Sequence, residues 1–212
     1  MKLIVNEIFH SIQGESTYAG RPCVMVRLTG CNLRCTYCDT AYAYTGGETW
    51  DLAELGQVIA GFGCPLVEIT GGEPLLQAGT PLLAEQLLGK GYQVLLETNG
   101  SLDISGMPPD CRIIMDIKCP SSGESTRNDP DNLGRLRPHD QVKFVIVDEA
   151  DYRFARVTAE QITCLPPGQI LFSPVMEQLS PAQLAEWMLA DRVDARLQPQ
   201  LHKLIWPGER HR

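Results

Sequence analysis

The sequence predicts an α/β fold, a barrel or an incomplete one, in which parallel strands are wrapped by helices. Three observations predict it. Short apolar, β-branched runs alternate with longer helical patterns, and strands separated by helices are joined by crossovers and so run parallel. No internal repeat or low-complexity segment breaks that alternation. Unusual polar residues cluster at the C-terminal ends of the strands, the edge that carries the site in barrels and open α/β sheets.

Taken in order, Val5–Ile8 and Cys23–Leu28 read as strands and Leu52–Phe62 as a helix. Leu66–Thr70 is a strand, Pro81–Lys90 a helix, and Gln93–Glu97, Ile113–Ile117 and Val142–Val147 are strands. Asp151–Ala159 is a helix and Ile170–Phe172 the last strand. A final helix, Pro181–Leu189, opens on Ser180-Pro181, an N-cap followed by proline at the first helical position. Ser121–Asp140 is rich in Ser, Gly, Asp, Asn and Pro and reads as an irregular insert with the composition of a mobile loop.

The chain of 212 residues is long enough for one domain with one core, so residues 1–212 are read as a single domain with a loose tail over 208–212. Hydrophobic residues make up 43% and charged residues 21%, as in ordinary globular proteins. No apolar run is long enough to span a bilayer, and Glu7 lies where a signal peptide would be apolar; a cytoplasmic setting is expected. The net charge of −8 disfavours nucleic acid, whose binding rests on neutralising phosphates. A small molecule or a protein is the expected partner.

Three of the 8 cysteines form Cys31-x3-Cys35-x2-Cys38. Thiolates favour zinc or iron–sulfur clusters. Structural zinc sites and ferredoxin clusters take four protein ligands, and no second C-x2-C pair is present. Three ligands on one loop suggest a cluster with one iron left open. The alternative is a zinc site or electron-carrier module completed by Cys23, Cys64, Cys119 or a histidine.

The cysteine loop, with Tyr37 before the third cysteine, resembles the signature of the radical S-adenosylmethionine superfamily. So does Thr70-Gly71-Gly72-Glu73-Pro74 at the end of a strand. The resemblance implies a partial, modified (β/α) TIM-like barrel and a [4Fe–4S] cluster on Cys31, Cys35 and Cys38. The open iron would chelate S-adenosylmethionine, whose cleavage gives a 5′-deoxyadenosyl radical. Glu73 would accept hydrogen bonds from the methionine ammonium.

Three more segments narrow the resemblance: Glu7-Ile8-Phe9-His10-Ser11-Ile12-Gln13-Gly14-Glu15-Ser16, Gly20-Arg21-Pro22 before the strand ending at Arg27, and Asp39-Thr40 after the third cysteine. Together they resemble the 7-carboxy-7-deazaguanine synthase family. That resemblance implies conversion of 6-carboxy-5,6,7,8-tetrahydropterin to 7-carboxy-7-deazaguanine and ammonia by hydrogen abstraction and ring contraction. S-adenosylmethionine would act as a regenerated cofactor, Mg2+ as a second cofactor held by Thr40, a flavodoxin or ferredoxin as reductant, and a homodimer as the assembly.

Residue by residue, the substrate would meet Ile12, Gln13, Gly14, Glu15, Arg27, Thr70, Glu97, His202 and Pro207. Tyr37, Cys38, Asp39, Gly72, Glu73, Asp116, Ile117, Lys118, Ser173, Pro174, Val175 and Met176 would cradle S-adenosylmethionine. Arg27 is a planar cation suited to a bidentate grip on a carboxylate, and Glu15 offers two acceptor oxygens to the N–H groups of a pterin. The chain departs from the family at Ser16, where glycine is common, and at Asp116-Ile117, where Ser-Pro is usual. It is also one residue short between His202 and Pro207. A glycyl-radical activating enzyme shares the cysteine loop but needs an open face for a protein substrate.

Overall fold

The computed structural model describes residues 1–209. Nine strands form one sheet: β1 (Lys2–Ile12), β2 (Pro22–Leu28), β3 (Glu48–Asp51), β4 (Leu66–Gly71), β5 (Gln93–Thr98), β6 (Arg112–Ile117), β7 (Gln141–Ile146), β8 (Ile170–Pro174) and β9 (Arg196–Leu197). Their order is β3-β1-β2-β4-β5-β6-β7-β8-β9. β3 and β9 are its unpaired ends, so the barrel is partial, as expected. From β2 to β9 every neighbouring pair is parallel. β1 departs from that pattern, pairing antiparallel with both β2 and β3. The link through residues 13–21 contains no helix to carry a crossover, so β2 folds straight back on β1. β3, β9 and the short helix α5 (Leu201–Ile205) are elements the periodicity does not reveal.

Four longer helices, α1 (Leu52–Gly61), α2 (Thr80–Gly89), α3 (Glu149–Glu160) and α4 (Pro181–Ala190), lie where the apolar spacing puts them. The Ser180 side chain accepts from Gln183 N–H at 3.1 Å, which makes the expected cap real. Asp148 caps α3 in the same way. These helices bury Leu55, Ile59, Leu83, Leu87, Tyr152 and Leu184 against Val24, Val26, Val67, Ile69, Phe144 and Phe172 of the strands. Side chains alternate across a strand. Once these apolar residues face the helices, Met25, Arg27, Glu68, Thr70, Glu97, Ile114, Asp116, Lys143, Val145 and Ser173 all line a cavity on the other face. The register keeps these residues level: Arg27 lies opposite Thr70, Glu97 opposite Ile114, Asp116 opposite Lys143, and Val145 opposite Ser173.

The insert at Ser121–Asp140 is irregular, as expected, but it is tied into the fold. It forms 3-10 turns at Pro120–Ser122, Ser125–Arg127 and Pro130–Arg135. Asn132 is fully buried. Its amide donates to Gly100 O (3.1 Å) and Leu102 O (2.8 Å), and its oxygen accepts from Ile104 N–H (3.2 Å) and Arg135 (2.9 Å). Asp140, also fully buried, accepts from Ile113 N–H and Arg137 N–H. These side chains substitute for a helix in the helix-free link between β5 and β6. Of the tail, Gly208 and Glu209 are exposed and 210–212 lie outside the described residues.

Asn132→Ala takes the Asn132 partner from Leu102 O and Ile104 N–H, each loss costing about 1–3 kcal/mol, while Gly100 O keeps Asp129 N–H. We expect thermal unfolding of the variant to drop by at least the equivalent of ~2 kcal/mol, measurable by circular dichroism on the metal-free protein.

Candidate active site

The cysteine loop is gripped from two sides. On one side Gly30 turns it with φ of +102° and accepts from Glu73 N–H at 2.7 Å. There Gly72 packs so closely that a Cβ would stand 2.3 Å from Gly30 O and 2.6 Å from Cys31 Cβ. On the other side the insert receives the loop: Thr36 N–H and Oγ1 donate to Ser122 O and Ser121 O, and Arg34 N–H donates to Glu124. Cys31, Cys35 and Cys38 are all half-buried and line one cavity of about 530 Å³. That size suits a small ligand. Burial pushes the Cys31 and Cys35 thiols up from their ordinary value, so iron binding releases protons here. Among the described residues no three His, Cys, Asp or Glu side chains converge on a point that a single metal ion would fill.

Beside the cysteines the cavity holds Tyr37, Asn99, Asp116 and Lys118. Lys118 Nζ binds Asp116 Oδ2 at 2.8 Å. Burial opposes the Lys118 charge, but Asp116 and Cys35 outweigh it and raise its pKa. Asp116 Oδ1 and Tyr37 Oη are buried with no hydrogen-bond partner among the described residues. Buried polar atoms normally have one, so a polar ligand beside the cysteines fits this wall. Asp39, Gly72, Ser173, Pro174 and Val175 also line it, whereas Ile117 and Met176 do not.

Glu73 stands elsewhere than expected. It is fully buried and does not line the cavity. Its oxygens accept from Leu75 N–H (2.9 Å), Asn99 N–H (2.7 Å) and the Thr98 hydroxyl (2.9 Å). These bonds tie the loop after β4 to the loop after β5, and the carboxylate orients Asn99.

The opposite wall carries Gln13, Gly14, Glu15, Arg27, Thr70, Glu97 and His202. Arg27 Nε donates to Glu7 Oε1 at 2.6 Å, and its guanidinium lies over the Tyr42 ring, 5.9 Å from the centroid. Gln13 donates its amide to Glu68 and accepts from Glu15 N–H at 2.7 Å. α5 closes over this wall: Leu201 N–H donates to Gly14 O at 2.9 Å, and a Cβ on Gly14 would stand 2.1 Å from His202 Nδ1. Ile12 and Pro207 do not line the cavity, and Pro207 is exposed. The chain leaves α5 toward solvent before reaching it. Thr40 lines the cavity and donates to Asp39 Oδ1 at 2.9 Å.

Two charged strand residues of the cavity escape the sequence reading: Glu68 and Lys143. Lys143 carries a signal in retrospect. It is the one cation in the strand Gln141-Val142-Lys143-Phe144-Val145-Ile146 and lies between two fully buried neighbours, Val142 and Phe144. Burial, then the charges of Glu97 and Glu15, push Glu68 well above the ordinary carboxylate range.

Gly72→Ala forces its new methyl into Gly30 O and the Cys31 side chain. We expect the variant to fold but to retain little iron after anaerobic reconstitution, read by iron analysis and visible absorbance.

Comparison with known proteins agrees with this geometry. Residues 25–117 match the Radical SAM superfamily. A 7-carboxy-7-deazaguanine synthase of Chlorobaculum tepidum is 46% identical, over 96% of this chain and 94% of the relative. One of Koribacter versatilis is 43% identical, over 97% of both. The crystal structure of QueE from Escherichia coli superposes with a TM-score of 0.80 at 23% identity over 95% of each chain, which shows a shared fold. Among the described residues no helix is long and apolar enough to cross a membrane. Relatives this similar, aligned over nearly their whole length, establish that the chain belongs to the 7-carboxy-7-deazaguanine synthase family.

Proposed function

We propose that the protein converts 6-carboxy-5,6,7,8-tetrahydropterin to 7-carboxy-7-deazaguanine with loss of ammonia. One observation carries this reading: Arg27, Glu15, Glu97 and Gln13 face, in a single cavity, the three cysteines of a cluster loop. A cation and a set of acceptors suit a ligand with a carboxylate at one end and N–H groups along the other. The cavity is also closed on one side by Gln200 and His202 of the C-terminal segment, which suits a small molecule better than the protein substrate of an activating enzyme.

When bound, a reduced four-iron cluster on Cys31, Cys35 and Cys38 together with S-adenosylmethionine supplies hydrogen-atom abstraction. The chain's own residues bind and orient. Arg27, tethered through Nε to Glu7, presents its guanidinium to the substrate carboxylate. Glu15, Glu97 and Gln13 receive the amino and ring N–H groups. Gly14 and the neighbouring backbone at Ile12 set the loop's path, Thr70 orders Glu97, and His202 donates from above. Asp116 Oδ1, Tyr37, Asn99, Lys118 and the strand ends at Gly72 and Ser173–Val175 meet the S-adenosylmethionine side. The Thr40 hydroxyl beside Asp39 would offer a hard oxygen to Mg2+, an ion that suits oxygen donors. A flavodoxin or ferredoxin reductant, a homodimer and a cytoplasmic setting complete this reading.

The test is anaerobic turnover of 6-carboxytetrahydropterin by reconstituted, dithionite-reduced protein with S-adenosylmethionine. Cys35→Ala is expected to lose cluster and product together. Arg27→Ala is expected to keep the cluster and lower kcat/KM on the order of 100-fold, the scale of one charge-assisted contact. Cleavage of S-adenosylmethionine by the parent protein with no conversion of the pterin would overturn the substrate assignment.

A further inference from the structure

We propose that Lys143 is the positioning residue of the substrate wall: clamped between Glu15 and Glu97, its ammonium fixes both carboxylates as paired acceptors for the N–H edge of the substrate. The proposal rests on the carboxypterin reading above.

Lys143 is 5% exposed. Its Nζ donates to Glu15 Oε2 at 2.7 Å and to Glu97 Oε1, and lies 3.9 Å from Asp116 Oδ2. Each carboxylate gives Lys143 one oxygen and has the other held by a neutral donor. Gln200 Nε2 donates to Glu15 Oε1 at 2.7 Å, and the Thr70 hydroxyl donates to Glu97 Oε2 at 3.2 Å. The result is a continuous chain, Gln200–Glu15–Lys143–Glu97–Thr70, across the cavity. It joins α5, the β1–β2 link, β7, β5 and β4, which approach one another only in the folded protein. A carboxylate has about four acceptor sites, so Glu15 and Glu97 both keep capacity for a ligand after these bonds.

The other charged groups facing Lys143 are Asp116, Glu68, Asp39, Lys118 and, through Glu15, His202. They do not duplicate its role. Asp116 is paired with Lys118, Glu68 takes the Gln13 amide, and Asp39 faces Lys203. Burial alone would push Glu15 up, but the Lys143 ammonium and its hydrogen bond, with that of Gln200, hold it below its ordinary value. Glu68, with no ammonium bonded to it, goes the other way under burial and the charges of Glu97 and Glu15. Without Lys143 the wall would hold mutually repelling carboxylates that burial drives to the protonated form.

The test measures kcat and KM for 6-carboxytetrahydropterin across pH for the parent, Lys143→Met, Lys143→Arg and Lys143→Gln, each checked for iron content and thermal unfolding. Lys143→Met is expected to raise KM on the order of 100-fold, with a smaller change in kcat. Its acid limb of kcat/KM moves to higher pH, because Glu15 without the cation binds its proton more tightly and is lost as acceptor earlier on acidification. Lys143→Arg keeps the charge and is expected to restore the limb and most of the affinity. If the methionine variant fails to load iron, the glutamine variant, also uncharged, decides on the same two readings. A KM within about twofold of the parent with an unmoved limb, or equal losses in the arginine and uncharged variants, overturns the role. Absence of carboxypterin turnover in the parent overturns the functional reading instead.

Discussion

A carboxylate taken out of water stays charged only where a cation or several hydrogen-bond donors replace its lost solvation. That constraint organises this molecule. Its strands point Glu68, Glu97 and Asp116 away from the helices, and the β1–β2 link adds Glu15. Water reaches them poorly, so each must be paired, hydrogen-bonded or neutral. Lys143 answers for Glu15 and Glu97, Lys118 for Asp116, and Glu7 anchors Arg27. The inner face that an ordinary barrel fills with branched apolar side chains is here kept polar and hollow. The stability of the sheet therefore comes from its outer face, where Val, Ile, Leu and Phe pack under four helices.

The cluster loop depends on a different constraint, close backbone approach. Gly72 lets the loop after β4 touch Gly30 and Cys31, and Glu73 then bonds onward to Asn99 after β5. The acidic position in Gly-Gly-Glu-Pro thus works at one remove from the cysteines. It fixes the backbone against which the cysteine loop rests, and it aims Asn99, whose amide lies 3.9 Å from Cys31 Sγ. The insert at Ser121–Asp140 completes the clamp from the other side through Ser121, Ser122 and Glu124. Two walls of one cavity are built independently, one around the cysteines and one around Lys143, and they meet at Asp116.

The architecture and most of the site were legible in the chain because their signals are local. Strand and helix periodicity needs only neighbours, and the cysteine spacing, Gly-Gly-Glu-Pro and Gln13-Gly14-Glu15 are short motifs. Lys143 and Glu68 were not legible, since their meaning lies in partners far along the chain; Lys143 is 128 residues from Glu15 and Glu68 is 55 from Gln13. A charged residue in an alternating strand reads equally well as solvent-facing or cavity-facing, and only closure of the sheet decides. Glu73 was legible as important but not as buried, because its partners come from the next strand. β3 and β9 are too short for periodicity to register. Pro207 was placed by resemblance, and the exposed end of this chain does not bring it to the site.

The central claim is that this polar, hollow face recognises a pterin by its carboxylate. Isothermal titration of the iron-loaded protein with S-adenosylmethionine present tests it directly, comparing 6-carboxytetrahydropterin with the same pterin lacking the carboxyl group. The account predicts that loss of the carboxylate weakens binding on the order of 100-fold, since the charge-assisted bonds that Arg27 makes to it beside its bond to Glu7 are lost. Equal affinity for the two pterins would contradict it.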